Sequence, residues 1–305
     1  MSKHIRKPVF RPRSAADAKT GLDALADRLE AGPPAWGGAA GGGQALRAAD
    51  PTRDRIVSYV GKLIVSKGVD LLIAAWPLVV DTAPDARLMI AGFGEYREGL
   101  MDLARAIGAG DLAAARVIAR RGRELEGGPP GELHYLAAFL DSLGGAERER
   151  YLRAASPAMR RLHFIGRIEH SDVSELMCAS RALVAPSTFP EAFGMVLAEA
   201  ACCGSVPVSA DHSGFAEVTA ALQPAVGEDM RSLLSFELGP DVVREIAGDL
   251  ACWLTFASDM PDAWRQATAS LRGVARSGYS WPDIASGVAA AAAGRLGELP
   301  LVPAR

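Results

Sequence analysis

Cysteine is scarce and unpatterned: Cys178, Cys202, Cys203 and Cys252 are the four in 305 residues, with neither a C-x-x-C pair nor a spaced framework. A disulfide scaffold and a tetrahedral zinc motif are therefore not expected, and the four read as small buried hydrophobes in a reducing, cytoplasmic chain. An excess of one charge is missing too. Lys and Arg number 33 against 36 Asp and Glu, a formal net charge of −3, and the one basic cluster is the short head Lys3, Arg6, Lys7, Arg11, Arg13. A nucleic-acid partner, which calls for a basic domain or stripe, is not expected. The longest plainly apolar run, Leu71 to Val80, is about half the roughly 20 residues of a bilayer span. No apolar core follows the basic start, so neither a transmembrane segment nor Sec-type export is expected.

Several nucleotide and metal motifs are absent as well. GFGEYR carries Gly92 and Gly94 but Arg97 where a third glycine would complete a dinucleotide fingerprint, and GGAAGGGQ lacks the Lys-Ser/Thr of a P-loop. No Asp-x-Asp metal motif occurs, and His4, His134, His163, His170 and His212 are scattered, as ordinary surface or core histidines would be. No repeat of fixed period is visible.

What is present is an ordinary globular composition, 49% hydrophobic and 23% charged, with enough apolar mass for a real core. Residues 1–52 hold one plausible helix, Ala15 to Glu30, followed by PPAWGGAAGGGQ, where Pro and Gly deny regular structure; this stretch reads as a linker. From Arg53 the pattern changes. RIVSYVG is a β-branched, apolar run ending in glycine, and RLMIAGFG, LHFIG, ALVAPS and SVPVSA follow the same logic. Five short apolar strands, mostly separated by helical segments, predict an α/β fold with an open parallel sheet, in which ligands lie beyond the carboxyl ends of the strands. One segment breaks the rhythm: about 97–160 contains LMDLARAI, DLAAARVIARRGREL, LHYLAAFLDSL and AERERYLRAA, read as a helical insertion. Its apolar positions suit either a partner surface or a self-packed helical hairpin. A closing set of helices ends near residue 290, leaving 291–305 as a tail.

Two constellations carry chemistry. In PSTFPEAFGMVLAEAACCG, residues 186–204, Glu191 and Glu199 stand eight apart between Pro190 and Gly204. The spacing predicts a helix with Glu191 at its start, Glu199 on its body and Gly204 as its stop. The amides of Ala192, Phe193, Gly194 and Met195 would then face an anion such as a diphosphate, with Gly194 allowing close approach. On spacing alone the same residues also suit a buried helix whose acids cap it or face solvent. In YVGKLIVSKG, residues 59–68, Gly61 ends a strand and Lys62 and Lys67 follow. Two cations at a strand's carboxyl end suit phosphate oxygens, and equally suit a solvated surface.

Taken together and in order, GKLIVSKG, LMIAGFGE, LHFIGRI, PSTFPEAFGMVLAEAACCG, SADHSGFAEV and YSWPDIA resemble the C-terminal domain of the retaining glycosyltransferases of family 4, glycosyl transferases group 1, over about 53–290. The resemblance implies the GT-B fold of two facing Rossmann-like domains, of which 53–290 would be the nucleotide-sugar-binding one. It implies a hexosyltransferase acting with retention and without a metal or other cofactor. Lys67 and Lys62 would contact the diphosphate, although the family usually has Arg at the second position. Glu191 would face the donor sugar, the 192–195 amides would hold sugar and phosphate, and Glu199 would take the ribose hydroxyls. Arg167 and Ile168 would grip the base through the backbone, beside the Gly92 and Gly94 loop and next to Gly61. Ser213-Gly214 stands where many relatives have a Gly-Gly pair. The family's N-terminal acceptor domain has no counterpart here, and PVFRPR resembles the end of its interdomain linker. The expectation is a donor-binding half that needs a separate acceptor domain, or a homo-oligomer; the alternative is a non-catalytic nucleotide-sugar-binding or partner-binding module.

Overall fold

The structure is a computed structural model that describes residues 13–31, 38, 41–279, 281–295 and 297. Most of the basic head and of the C-terminal tail lies outside the described residues. The elements are α1 (Ala15–Ala31), α2 (Gly42–Ala48), β1 (Arg55–Lys62), α3 (Val69–Thr82), β2 (Ala86–Phe93), α4 (Arg97–Gly108), α5 (Leu112–Arg121), α6 (His134–Ser142), α7 (Gly145–Arg160), β3 (Leu162–Gly166), α8 (Val173–Ala179), β4 (Ala182–Ala185), α9 (Met195–Cys203), β5 (Val206–Ala210), α10 (Ser213–Leu222), α11 (Glu228–Arg231), β6 (Ser235–Phe236), α12 (Val242–Asp259), α13 (Pro261–Gly278) and α14 (Trp281–Ala292). No helix among the described residues is long and apolar enough to cross a membrane.

The six strands form one parallel sheet in the order β3-β2-β1-β4-β5-β6. This is the Rossmann-like α/β fold expected from five short apolar runs; the two-residue β6 was not foreseen. The chain winds outward from β1 in one direction and then, from β4, in the other, so the switch point lies between β1 and β4.

Side-chain alternation assigns the two faces of the sheet. Val57 and Tyr59 of β1 and Leu88 and Ile90 of β2 join the larger apolar cluster with α3, α7 and α12. Ile56, Met89 and Ala91 point the other way. There they meet Ala18, Leu22, Leu25 and Ala26 of α1, Leu46 of α2 and Leu176 of α8. This corrects the reading of 1–52 as a linker: its described part is a layer of the domain. Leu22 and Leu25 are 0% and 1% exposed, and burying each stabilises the fold by about 1.5–3 kcal/mol. Arg13 adds an ion pair to Glu175 of α8. The expected helical insertion holds four helices, α4 to α7, with an irregular stretch at 127–133 between α5 and α6, and Leu136, Phe139 and Leu140 of α6 are buried in the main core, so the apolar face of α6 is packed on the chain itself.

Asp70, in the first turn of α3, is 3% exposed and has no ion pair with a described residue. Burial pushes its carboxyl up to about 7. With the folded pKa above the unfolded one, the native state holds a proton that the unfolded state has released. Stability therefore falls between about pH 4 and pH 7, by up to ~1.4 kcal/mol per pH unit, and is level above. Asp70→Asn is expected to flatten this slope and to melt higher than the parent at pH 8. Melting temperatures from pH 4 to 9 check this, since coincident curves would remove Asp70 from the linkage; Asp249, also raised to about 7 by burial and Glu245, stays in both proteins.

Candidate functional site

β1 and β4 end side by side, and the loops that leave them wall a cavity of about 510 Å³. Gly61, Lys62 and Lys67 line it from β1 and the turn after it, Ser187, Pro190 and Glu191 from the loop after β4, and Gly194, Met195 and Val196 from the start of α9. Lys67 sits on a single 3₁₀ turn, Val65–Lys67, closed by Gly68 in the left-handed region at φ 64°. A β-carbon on Gly68 would lie 1.9 Å from the Pro186 carbonyl oxygen, so only glycine allows the two loops this close. The amide of Thr188 donates to the Ser66 carbonyl at 2.9 Å and joins them.

Glu191 is held at both its backbone and its side chain. Lys67 Nζ forms an ion pair with Oε1, and Ser187 Oγ lies 2.6 Å from the same oxygen. The Glu191 amide donates to Ser213 Oγ at 2.8 Å, and its carbonyl accepts from the Gly214 amide at 2.9 Å. His212 completes the clamp: Nε2 lies 2.7 Å from the Ser187 carbonyl and must donate to it, so in the neutral ring Nδ1 accepts from the Ser213 hydroxyl at 2.9 Å. Ser213 is the described non-glycine residue with positive φ, at 50°. Such a conformation costs on the order of 1–3 kcal/mol and persists where surrounding bonds hold it. A β-carbon on Gly214 would fall 2.6 Å from the backbone of Phe193. The Ser213-Gly214 pair thus fits a steric requirement that matches the Gly-Gly of the resemblance, with the serine hydroxyl gained as a clamp.

The helix start differs from expectation. α9 begins at Met195, capped by Gly194 in the left-handed region, so Glu191 precedes it in a loop and the amides of Ala192 and Phe193 belong to that loop. Pro190 and the backbone bonds of Glu191 to Ser213 and Gly214 hold this stretch out of helical register. The free amides of the first turn are those of Met195 and Val196, both at the cavity. Gly204 closes the helix as expected, at φ 84°.

The structure brings together Glu191, Lys67, Lys62, Gly61, Gly194 and Met195. The remaining expected residues do not line that cavity. Gly92 pairs in register with Gly61, where a β-carbon would be 2.0 Å from the Gly61 carbonyl oxygen, and Gly94 is packed on Leu63 in the same way. Arg167 follows β3, stacks 5.4 Å over Phe93 and pairs with Glu169 at 3.1 Å, and Ile168 packs on both apolar clusters. The Phe193 ring meets Tyr279 edge to face. Glu199, on the second turn of α9, receives His170 Nε2 at 3.0 Å on Oε1.

Sequence reasoning missed several supports. Ser187 and His212 carried no pattern of their own, and Ser213 stood out only as the partner of Gly214, with no sign of its hydroxyl as a clamp. Tyr59, whose hydroxyl donates to the Lys62 carbonyl at 2.7 Å, read only as a strand residue; burial, with Glu191 nearby, raises its phenol and keeps it a neutral donor. Glu126 was hidden in the insertion. Its Oε2 accepts from the Val65 amide at 2.7 Å and satisfies the first free donor of the 3₁₀ turn that carries Lys67.

The family described as "Glycosyl transferases group 1" matches residues 47–112 and 142–226. The stretch between, 113–141, spans most of α5, the turn holding Glu126, and α6. The chain is 26% identical over 231 residues to glycogen synthase of Mycobacterium tuberculosis, covering 76% of this chain and 40% of that protein. It is also 26% identical over 205 residues to a Corynebacterium glutamicum GDP-mannose-dependent monoacylated alpha-(1-6)-phosphatidylinositol monomannoside mannosyltransferase, covering 63% and 40%. The chain thus spans about two fifths of the length of these relatives. Among solved structures, Anabaena Alr3699/HepE in complex with UDP-glucose is similar in fold, with a TM-score of 0.52 at 16% identity over 93% of this chain and 54% of that one. The match runs across the sheet and its site loops: over 47–112 and 142–226 the chain matches the glycosyl transferases group 1 family.

Proposed function

We propose that this chain binds a nucleoside diphosphate sugar and supplies the donor half of a retaining, family 4 hexosyltransferase. The carrying observation is the convergence of Lys67, Lys62 and the α9 amides with Glu191 in one cavity at the sheet's switch point. Cations and helix-terminal donors suit a diphosphate, and a carboxylate beside them suits sugar hydroxyls. Lys67 and Lys62 take the phosphate oxygens, Lys62 as a point charge without the two-pronged geometry of arginine. Glu191 and the loop amides up to Gly194 hold the sugar, and Glu199 takes the ribose hydroxyls with its Oε2. The backbone at Arg167 and Ile168, next to the Gly92 and Gly94 loop, receives the base.

In the transfer step the acceptor oxygen bonds to the anomeric carbon on the face from which the diphosphate departs. The bond from that carbon to the phosphate oxygen breaks, and the acceptor's proton passes to the leaving diphosphate. Negative charge grows on the leaving group between Lys67, Lys62 and the start of α9, where preorganised donors lower the barrier. Charge is met by these groups, so no metal enters the step. The acceptor is held by a separate domain or chain. The free thiols of all four cysteines support a reducing, cytoplasmic setting.

Calorimetric titration of the purified chain with UDP, GDP, ADP and their glucose and mannose sugars, with and without magnesium, tests this reading. Magnesium-independent binding of one nucleotide is expected, and folded protein silent to the whole panel would overturn it. Binding without turnover in the presence of acceptor domains would favour a non-catalytic binding module. Glu199→Ala is expected to weaken nucleotide binding by about 1–3 kcal/mol, the cost of leaving ribose hydroxyls unpaired. Equal affinity in parent and variant would take Glu199 out of the site.

A further inference from the structure

A second cavity, of about 410 Å³, opens at the opposite end of the sheet. Its walls come from residues next to the amino ends of strands: Pro51 ahead of β1, Arg181 immediately before β4, and Gly204 two residues before β5. Four arginines line it, Arg13, Arg181, Arg265 and Arg272, and no described acidic side chain does. The arginines differ in how their charge is met. Arg13 is engaged by both oxygens of Glu175, and Arg265 by Asp262. Arg181 and Arg272 form no ion pair with a described residue.

Arg181 is the telling one. It is half-buried, and its guanidinium lies 6.0 Å over the ring of Trp264, itself 6% exposed. Burial and the neighbouring Arg55 both act against its charge and lower its pKa. Arg55 cannot share a counterion, because Asp85 occupies it. A partly desolvated cation without a carboxylate is a standing cost, and an anion bound beside it removes that cost. The negative end of α9 at Cys203 and Gly204 opposes an anion with about half a charge, less than two uncompensated arginines supply. The volume suits a small molecule, and paired guanidinium forks match phosphate geometry.

We propose that this cavity is a second anion site, which takes a small phosphate-bearing molecule between Arg181 and Arg272. It is separate from the cavity at Lys67. The nine residues of α9 lie between them, with Met195 at one site and Cys203 at the other.

Inorganic pyrophosphate is the probe, titrated calorimetrically into the Lys67→Ala chain so that the first cavity contributes little. Binding is expected to persist there and to fall at least tenfold when Arg272→Glu or Arg181→Gln is added, while UDP affinity of the otherwise unaltered chain stays within twofold in Arg272→Glu. Inorganic phosphate run in parallel is expected to bind at the same place and to respond to the same changes. Arg272 is a partly exposed helix residue, so Arg272→Glu keeps the test decisive if Arg181→Gln does not fold. No pyrophosphate binding in the Lys67→Ala chain, or binding indifferent to Arg272→Glu, overturns the proposal.

Discussion

Lys67→Ala is expected to weaken binding of a nucleoside diphosphate by about 10- to 100-fold, the range of ~1.5–3 kcal/mol for a hydrogen bond to a charged group. Two effects act in the same direction. The diphosphate loses a cation held on a rigid turn, and Glu191 loses the counterion that neutralises it. An unpaired carboxylate in the same cavity then repels the incoming phosphates. Lys67→Arg keeps the charge on both counts and should recover most of the affinity, whereas Lys62→Ala, at an exposed strand end, should cost less. Calorimetry with the nucleotide that binds the parent decides; unchanged affinity in Lys67→Ala would remove this residue from phosphate binding.

Gly68→Ala is expected to lower stability by about 2–4 kcal/mol, the range for mutations that combine a forced backbone conformation with a steric clash. The residue sits at φ 64°, and the added carbon would be 1.9 Å from the Pro186 oxygen, part of the backbone just beyond β4. Neither partner is a side chain that can swing aside. The turn after β1 and the loop after β4 must separate, and this breaks the bonds of Thr188 and Ser187 to the Ser66 carbonyl. For a domain of this size the melting temperature should drop by about 5–15 °C. Nucleotide affinity should fall with it, because Lys67 and Glu191 lie on the two separated loops. A variant that melts with the parent would show that the loops accommodate the extra carbon.

Glycine made the fold legible. Gly61, Gly92, Gly166 and Gly204 each punctuate an element, so strand ends and the stop of α9 were readable to within a residue or two. Where the deciding signal was tertiary, reading stopped. Ala18, Leu22, Leu25 and Ala26 have a helical core spacing, but the Pro- and Gly-rich run after them suggested a connector, and nothing local tells that Ile56 and Met89 present an uncovered face to α1. The two residues of β6 are too short for any period. At the site, the lysines and glutamates were legible because their charge has a purpose in a pattern. Ser213 was legible as a place in the resemblance but not as a clamp, because the Glu191 amide that its hydroxyl holds lies next to it only in the folded chain. Glu126 was hidden for the same reason: it caps a turn 61 residues earlier in the chain.

The packing of α1 sets a clock on biosynthesis. Its ion pair between Arg13 and Glu175 spans 162 residues of sequence, and its apolar stripe is closed off only once β3 and α8 are in place. At roughly 5–20 residues per second, a ribosome needs about 8–30 s to deliver that cover. Through that interval the nascent chain carries an amphipathic helix with Leu22 and Leu25 open to water. A holding chaperone that binds such helices would meet this protein at α1, long before the sheet that helix belongs to exists.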